Sequence, residues 1–265
     1  MKYTDHMKNR IAGGEGALPW LFAHKMDTYE FCQTTKIPTP RMYAKFEHPS
    51  EIELKALPKV FVLKPAYSST SRGVMVLSKT SEGLFDDRMS GETFSLEQII
   101  ELQRKIYDSH KKAKRKFTLV EEFVHEVGTE SIPEDYKFLA FQGVIGLIIK
   151  INRNGDKLSM SYYDSEFRPL NDDLINFKDN IASLERSETP RNWERLLNVA
   201  RRVSCIVPTP FARIDLFDSS RGPLLGEVTL TPGSFYYPNG HTLSDSENER
   251  LGKLWEDASN RLWGQ

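Results

Sequence analysis

The pattern that decides the fold lies near the end of the chain, in Phe211-Ala-Arg-Ile-Asp-Leu-Phe217 and Leu225-Gly-Glu-Val-Thr229. Because residues i and i+2 of a strand share a face, Arg213 and Asp215 are expected to point the same way. On the neighbouring strand, Glu227 and Thr229 can point to that same side. Residues 218–223 between the two segments are rich in turn formers, which predicts a hairpin. The hairpin would therefore gather two carboxylates, a hydroxyl and a guanidinium on one face.

Clustered carboxylates of this kind suit Mg²⁺, which proteins commonly hold with one or two carboxylates plus substrate phosphates. A hairpin with a solvated polar face is the alternative interpretation, since antiparallel sheets often expose one side. The hairpin by itself leaves both interpretations open.

A second motif lies upstream, where the apolar strand Val60-Phe-Val-Leu-Lys64 runs into the small-residue loop 67–73 and a return strand at 74–77. In this arrangement the Lys64 ammonium can face phosphates while loop hydroxyls and backbone N–H groups fold over them. The loop is not a Walker A motif, because no Gly-x-x-x-x-Gly-Lys precedes a helix. An ordinary polar hairpin is the alternative.

Composition limits the classes of protein to consider. The 265 residues can form one or two domains, and the net charge of −1 gives no electrostatic reason to expect nucleic acid or an anionic membrane as a partner. The most apolar stretch, residues 138–151, is too short to cross a bilayer, and the N-terminus lacks a signal-peptide pattern. The two cysteines do not make a disulfide framework. A cytoplasmic protein without a membrane span is expected.

Helical and strand patterns alternate along the chain, with several tight hairpins, which predicts an antiparallel α+β fold. One hairpin is expected around Gln142-Gly143, with Asp135 and Lys137 on one face of its first strand. A surface ion pair is the alternative interpretation of those two residues. The polar residues 1–20 are expected to form a loosely ordered lead-in.

Taken in order, these segments resemble the ATP-grasp superfamily, and most closely its TupA-like branch, associated with teichuronic acid biosynthesis. The resemblance extends over about residues 24–239. It is carried by His24-Lys25-Met-Asp-Thr-Tyr-Glu-Phe31 with Ile37-Pro-Thr-Pro40, Val62-Leu-Lys64-Pro65, Val120-Glu-Glu-Phe-Val124, Asp135-Tyr-Lys-Phe138, Arg213-Ile-Asp215 and Gly226-Glu-Val-Thr229. It implies two α+β subdomains whose antiparallel sheets grip a nucleotide. We divide the chain into a short lead-in and helix (1–45), a lid subdomain (46–120) and a metal and acceptor subdomain (121–265), with a reduced N-terminal domain.

The resemblance also implies cofactors, ATP and Mg²⁺, and roles for individual residues. The nucleotide-binding residues would be Lys25, Lys64, Ser68, Ser69, Ser71, Gly73, Glu121, Glu122, Phe123, Val124, Asp135 and Lys137. The metal ligands would be Asp215, Glu227 and Thr229, although many ligases of the superfamily carry Asn where this chain has Thr229. Arg213 and Lys137 would be catalytic, and Arg168 and Ser234 are candidate substrate residues.

The activity implied is an ATP- and Mg²⁺-dependent carboxylate–amine ligase that works through an acyl phosphate, in polysaccharide or natural-product biosynthesis. One alternative is a kinase that phosphorylates the hydroxyl of a small molecule or sugar. A second alternative is a nucleotide-binding module without turnover. Small-molecule carboxylates and amines are the expected partners. A homodimer is also expected, because few residues precede Phe22, where many superfamily members have a further domain.

Overall fold

The structure is a computed structural model that describes residues 1–68, 71–125, 131–170, 172–180, 182–186, 188–233, 235 and 240–264, without the side chain of Asp172. The helices are α1 Tyr3–Ile11, α2 Lys25–Thr35, α3 Leu96–Ser109, α4 Trp193–Ile206 and α5 Asp245–Trp263. The strands are β1 Met42–Phe46, β2 Val60–Pro65, β3 Met75–Lys79, β4 Phe85–Asp87, β5 Thr93–Phe94, β6 Thr118–Glu122, β7 Asp135–Phe141, β8 Val144–Asn152, β9 Ser159–Tyr163, β10 Ile175–Asn176, β11 Ser183–Leu184, β12 Ala212–Ser219, β13 Gly222–Thr229 and β14 Thr242–Leu243.

The chain divides into two compact units. The first unit consists of Met1–Ala23, Glu30–Pro38 and His125–Gln265, and the second of His24–Tyr29 and Thr39–Val124. The division at residues 45 and 120 proposed from the sequence stays a prediction.

The second unit is built on an antiparallel sheet with the strand order β1-β6-β2-β3-β4-β5. Its core contains Phe61 and Leu63 of β2 together with Ile99 of α3. Helix α3 begins with a capping box, in which the Ser95 side chain accepts the backbone N–H of Gln98. The alternation of buried and partly exposed residues along β2 places Leu63 in the core and Lys64 at its margin.

The first unit contains a sheet with the order β11-β9-β8-β7-β12-β13, antiparallel except for the β11–β9 pair. Helix α4 packs on one face through Leu196, Ala200 and Val203. Helices α1 and α5 pack on the other face, where Tyr3 and Trp255 contact each other. The predicted antiparallel α+β class is confirmed.

Both predicted hairpins of this unit are confirmed. β7 and β8 pair through a turn at Gln142 and Gly143, whose φ angles are 47° and 85°. Positive φ at both central residues is the geometry that the right-handed twist of a hairpin favours, and glycine adopts it without strain. β12 and β13 form the second hairpin.

The expectation of a loosely ordered segment at residues 1–20 is wrong, because α1 is a helix whose Tyr3 and Met7 are fully buried. Tyr3, Met7 and Arg10 recur at i, i+4 and i+7, so they form one helical face within an otherwise polar segment. The Arg10 guanidinium donates to the carbonyl oxygens of Phe211 (2.9 Å) and Leu230 (2.8 Å). These residues flank β12 and β13, so α1 fixes the ends of that hairpin.

Among the described residues, none of the helices has both the length and the apolar character needed to cross a membrane.

Candidate functional site

The hairpin of β12 and β13 places its polar residues as the alternation predicts. Asp215 lies directly across from Glu227, and Arg213 lies across from Thr229. Directly paired residues of antiparallel strands point to the same face, so all four side chains share one surface of the sheet. On the other side of β12, the partner of Asp215 is Lys137 of β7. The row Glu227–Asp215–Lys137 therefore crosses three strands.

Asp215 lies between two cations and is only 4% exposed. Arg213 donates Nε to Oδ1 and Nη2 to Oδ2 of Asp215, each at 2.7 Å, and Lys137 Nζ lies 2.6 Å from Oδ2. Burial by itself would raise the pKa of Asp215, but the charges and hydrogen bonds of Arg213 and Lys137 outweigh it and hold that pKa below its ordinary value. Burial would likewise lower the pKa of Arg213, yet Asp215 raises it above its ordinary value. Asp215 and Arg213 are therefore both ionised at neutral pH.

Lys137 also contacts Asp135, with Nζ 2.6 Å from Oδ2. Arg153, just after β8, approaches the same oxygen at 3.5 Å. The other carboxylate oxygen of Asp135, Oδ1, is buried without a hydrogen-bond partner in the part of the chain that the structure describes. A buried carboxylate oxygen in this state is costly, so it is suited to accept a hydrogen bond from a ligand hydroxyl.

Glu227 is the accessible carboxylate of the cluster, with 41% of its side chain exposed and Oε2 at 3.7 Å from Arg213 Nη2. The Thr229 hydroxyl accepts from Arg213 at 3.0 Å. Mg²⁺ prefers oxygen ligands and typically takes one or two from carboxylates and the rest from phosphates and water. The pair of Asp215 and Glu227, with Thr229 beside it, fits that requirement. Within the described residues, no group of three or more His, Cys, Asp or Glu side chains is arranged to hold a metal ion.

A second cluster lies in the other unit and joins two neighbouring strands. Lys64 at the end of β2 forms an ion pair with Glu121 of β6, 2.6 Å apart. Both side chains are largely buried, so each depends on the other for charge compensation. The ammonium of Lys25 donates to the carbonyl oxygen of Ser68 at 2.8 Å. The structure thus brings Lys64 and Glu121 together, and it anchors the start of the loop after β2 to α2.

The loop after β2 is also held at its end. Gln103 of α3 donates to the carbonyl oxygen of Gly73 at 2.9 Å. Gly73 has φ of +80°, and a Cβ added there would lie 2.5 Å from Ile106 Cδ1. Ser71 is exposed and also has a positive φ, 58°. The predicted nucleotide residue Ser69 lies outside the described residues.

The segment that leaves β6 contains the other predicted nucleotide residues. Phe123 and Val124 are buried, and Arg88 packs over the Phe123 ring at 5.1 Å. The backbone N–H of Glu122 donates to the carbonyl oxygen of Arg41 at 2.8 Å, and the Glu122 carboxylate accepts the Arg41 N–H at 3.1 Å. This segment is therefore held firmly at the end of its sheet.

The structure does not bring Arg168 into the Asp215 cluster. It pairs with Asp164 at 2.7 Å on the loop after β9, and 75% of its side chain is exposed. Ser234 lies outside the described residues. Arg153 was missed by sequence reasoning, since its only signal is its position immediately after a strand that pairs with β7.

The sequence and the fold of this chain can be compared with those of known proteins. The family model described as TupA-like ATPgrasp matches residues 6–254. No protein among the curated sequences matches the chain.

Solved structures share the fold at low sequence identity. D-alanine–D-alanine ligase from Bacillus anthracis complexed with ATP has a TM-score of 0.53 at 14% identity, over 91% of this chain and 67% of that chain. A RimK domain ATP-grasp protein from Sphaerobacter thermophilus DSM 20745 has a TM-score of 0.51 at 12% identity, over 98% of this chain and 77% of that chain. L-amino acid ligase from Bacillus licheniformis has a TM-score of 0.50 at 16% identity, over 87% of this chain and 49% of that chain. The chain thus spans about two thirds of the length of the first of these proteins and about half of the last.

Proposed function

Because the chain belongs to the TupA-like ATP-grasp family, we propose that it is an ATP- and Mg²⁺-dependent ligase that joins a carboxylate to an amine through an acyl phosphate. The observation that carries this proposal is the row Glu227–Asp215–Lys137 with Arg213 bound to Asp215. It combines two carboxylates, suited to Mg²⁺, with two cations suited to phosphate oxygens.

In this proposal the residues of each cluster have a role in nucleotide binding. Lys64 contacts the α- and β-phosphates, and the loop that begins at Ser68 covers them. The segment after β6 contacts adenine through its backbone. Asp135 accepts a ribose hydroxyl at its unpartnered Oδ1.

Asp215 and Glu227 would hold Mg²⁺, with the Thr229 hydroxyl beside them. A bound Mg²⁺ neutralises charge on the phosphate oxygens. Lys137 moves from its carboxylate partners toward the terminal phosphate. Arg213 stays against Asp215 and stabilises the negative charge that develops on the transferred group.

The reaction has two steps. In the first, a carboxylate oxygen of the substrate attacks the γ-phosphorus, the bond to the β,γ-bridging oxygen breaks, and ADP leaves. In the second, the amine nitrogen attacks the acyl carbon, the carbon–oxygen bond to phosphate breaks, and phosphate leaves with the electron pair. The amine proton passes to solvent. These steps require no nucleophilic side chain, so the role of the protein is to position the reactants and stabilise charge.

Hydroxylamine trapping tests the proposal. With ATP, Mg²⁺, hydroxylamine and a panel of candidate carboxylate and hydroxyl acceptors, the wild type should form a hydroxamate in step with ADP release. A stable phosphate ester instead would identify a kinase, and ATP binding without ADP release would identify a module without turnover.

Lys137→Gln should abolish hydroxamate formation. Lys150→Gln is the matched control, because Lys150 is also a buried lysine, paired with Glu134 at 2.7 Å. It lies on the adjacent strand but on the opposite face of the sheet, since its register partner is Tyr136. Loss of turnover in both variants alike would contradict a specific role for Lys137.

We also propose that the enzyme acts in the cytoplasm on small-molecule substrates and forms a homodimer. Light scattering at micromolar concentration tests the dimer, and a fully active monomer would exclude it.

A further inference from the structure

The ammonium of Lys137 is shared between two carboxylates that lie on neighbouring strands. Its Nζ lies 2.6 Å from Oδ2 of Asp135 and 2.6 Å from Oδ2 of Asp215. Asp135 is 7% exposed and Asp215 is 4% exposed, so each carboxylate depends on a nearby cation. If Lys137 moves away, both buried carboxylates lose a partner at once.

Asp215 has a second cation of its own. The guanidinium of Arg213 binds it through two nitrogens, each at 2.7 Å from a carboxylate oxygen. Bidentate pairs of arginine and carboxylate are among the strongest charged hydrogen bonds. Asp215 therefore keeps a complete partner when Lys137 leaves.

Asp135 also has a second cation, but at a longer distance. Arg153 lies two positions beyond Ile151, which is the register partner of Asp135 in β8. Its Nη2 is 3.5 Å from Oδ2 of Asp135, the same oxygen that Lys137 contacts, and within the described residues its guanidinium has no other acceptor. This distance is beyond the usual range of a hydrogen bond, so Arg153 lies beside Asp135 without replacing Lys137.

The balance of formal charge shows which cation can leave. The cluster contains three cations and three carboxylates, which are Lys137, Arg213, Arg153, Asp135, Asp215 and Glu227. Without Lys137, one guanidinium remains for each of the two buried carboxylates. Lys137 is therefore the cation whose movement leaves neither buried carboxylate unpaired.

We propose that Arg153 is a positioning residue, which takes over Asp135 when Lys137 moves to the terminal phosphate of ATP. Arg153 then closes to hydrogen-bond distance on Oδ2 of Asp135, while Arg213 keeps Asp215. The buried Oδ1 of Asp135 stays available for a ligand hydroxyl. The inference rests on the proposed function, and it adds the residue that releases the phosphate-binding lysine.

A comparison of ATP with ADP tests this exchange without turnover. ADP lacks the terminal phosphate, so Lys137 can stay on its carboxylates when ADP binds. In calorimetric titrations with Mg²⁺ and no acceptor, Arg153→Gln should weaken binding of a non-hydrolysable ATP analogue about 10-fold, the order expected for one charged hydrogen bond, and should leave ADP affinity unchanged. A variant that is only less well folded would weaken both nucleotides alike.

Three further variants make the assignment specific. Arg153→Lys should retain most of the preference for the ATP analogue, because it keeps the positive charge. Arg201→Gln is the matched control and should change neither affinity, because Arg201 pairs with Glu166 at 3.2 Å and belongs to α4, which packs on the opposite face of the sheet. In an Asp135→Asn background, Arg153→Gln should no longer change the ratio of the two affinities, because the shared anion is gone.

A double-mutant cycle in the ligand-free protein tests the sharing of Asp135 directly. Lys137→Gln and Arg153→Gln each leave Asp135 with one cation, whereas the double variant removes both. The melting temperature of the double variant should therefore fall by at least about 3 °C more than the sum of the two single falls.

Three results would overturn the inference: additive falls in melting temperature, equal weakening of both nucleotides by Arg153→Gln, or a 10-fold effect that persists in Asp135→Asn. The last result would mean that Arg153 contacts the phosphate itself. The proposed ligase function is judged separately by hydroxamate formation. A protein that shows the expected shifts in binding but forms no hydroxamate makes this exchange without being a ligase, and one that binds neither nucleotide would contradict both proposals.

Discussion

Replacing Asp215 with Asn removes the negative charge between two buried cations. Arg213 would retain Thr229 and the distant Glu227, while Lys137 would retain Asp135. Because Asp215 is 4% exposed, solvent screens this loss poorly. Removing one partner of a buried ion pair typically costs about 3–5 kcal/mol of unfolding free energy. At about 2–4 °C per kcal/mol, the melting temperature should fall by about 6–20 °C.

Glu227→Gln provides the contrast. The Glu227 side chain is 41% exposed and its Oε2 lies 3.7 Å from Arg213 Nη2, so the variant should lose less than about 1 kcal/mol of unfolding free energy. Both variants should fail to release ADP from ATP and Mg²⁺, since each lacks one proposed metal ligand. Calorimetric melting of the free proteins, followed by a coupled ADP assay, separates the two effects.

Two results would refute this reasoning. Equal melting temperatures for the two variants would mean that Asp215 is not the charge on which Lys137 and Arg213 depend. Turnover by Glu227→Gln at the wild-type rate would support the alternative interpretation, in which the hairpin only exposes a solvated polar face.

Three further substitutions and the pH dependence of stability give additional tests. Lys64→Ala should remove most of the rise in melting temperature that ATP and Mg²⁺ cause, since stabilisation by a ligand depends on its affinity; an unchanged rise would exclude Lys64 from the nucleotide site. Gly73→Ala should lower the unfolding free energy by about 1–2 kcal/mol in urea titration, because its φ of +80° strains any other residue. Thr229→Asn should retain ADP release, as the amide oxygen can replace the hydroxyl near the metal, and loss of activity would assign Thr229 another role. The free energy of unfolding should stay constant above about pH 4, the ordinary carboxyl range, and should fall as the pH drops further, because Asp215 has a lower pKa in the folded state and is then protonated. Urea titration of the wild type at several pH values should show this decrease, and Asp215→Asn should show a smaller one.

Local patterns in the sequence were sufficient to predict the hairpins and the sheet face on which each polar residue lies. Alternation with a period of two placed Arg213 with Asp215 and, on another strand, Asp135 with Lys137. The turn residues Gln142-Gly143 fixed the β7–β8 hairpin, because the turn between adjacent strands sets their register.

The same patterns did not predict the helix α1. Its buried residues are few and lie three and four apart within a polar segment, so the segment alone gives a weak helical signal. The helix is stabilised by packing against α5 and by the buried hydrogen bonds of Arg10 to Phe211 and Leu230, which flank β12 and β13. These contacts are distant in sequence, so no local window contains them.

The sequence by itself determined two local arrangements: a lysine near the end of β2, and an acidic hairpin with a guanidinium. Tertiary structure alone decided that β7 lies beside β12, which brings Lys137 to Asp215 across 78 positions of chain, and that β6 lies beside β2, which pairs Lys64 with Glu121. The physical reason is that pairing between strands distant in sequence is chosen by how whole faces pack, and a strand's own residues specify which side is buried but not which strand lies next to it.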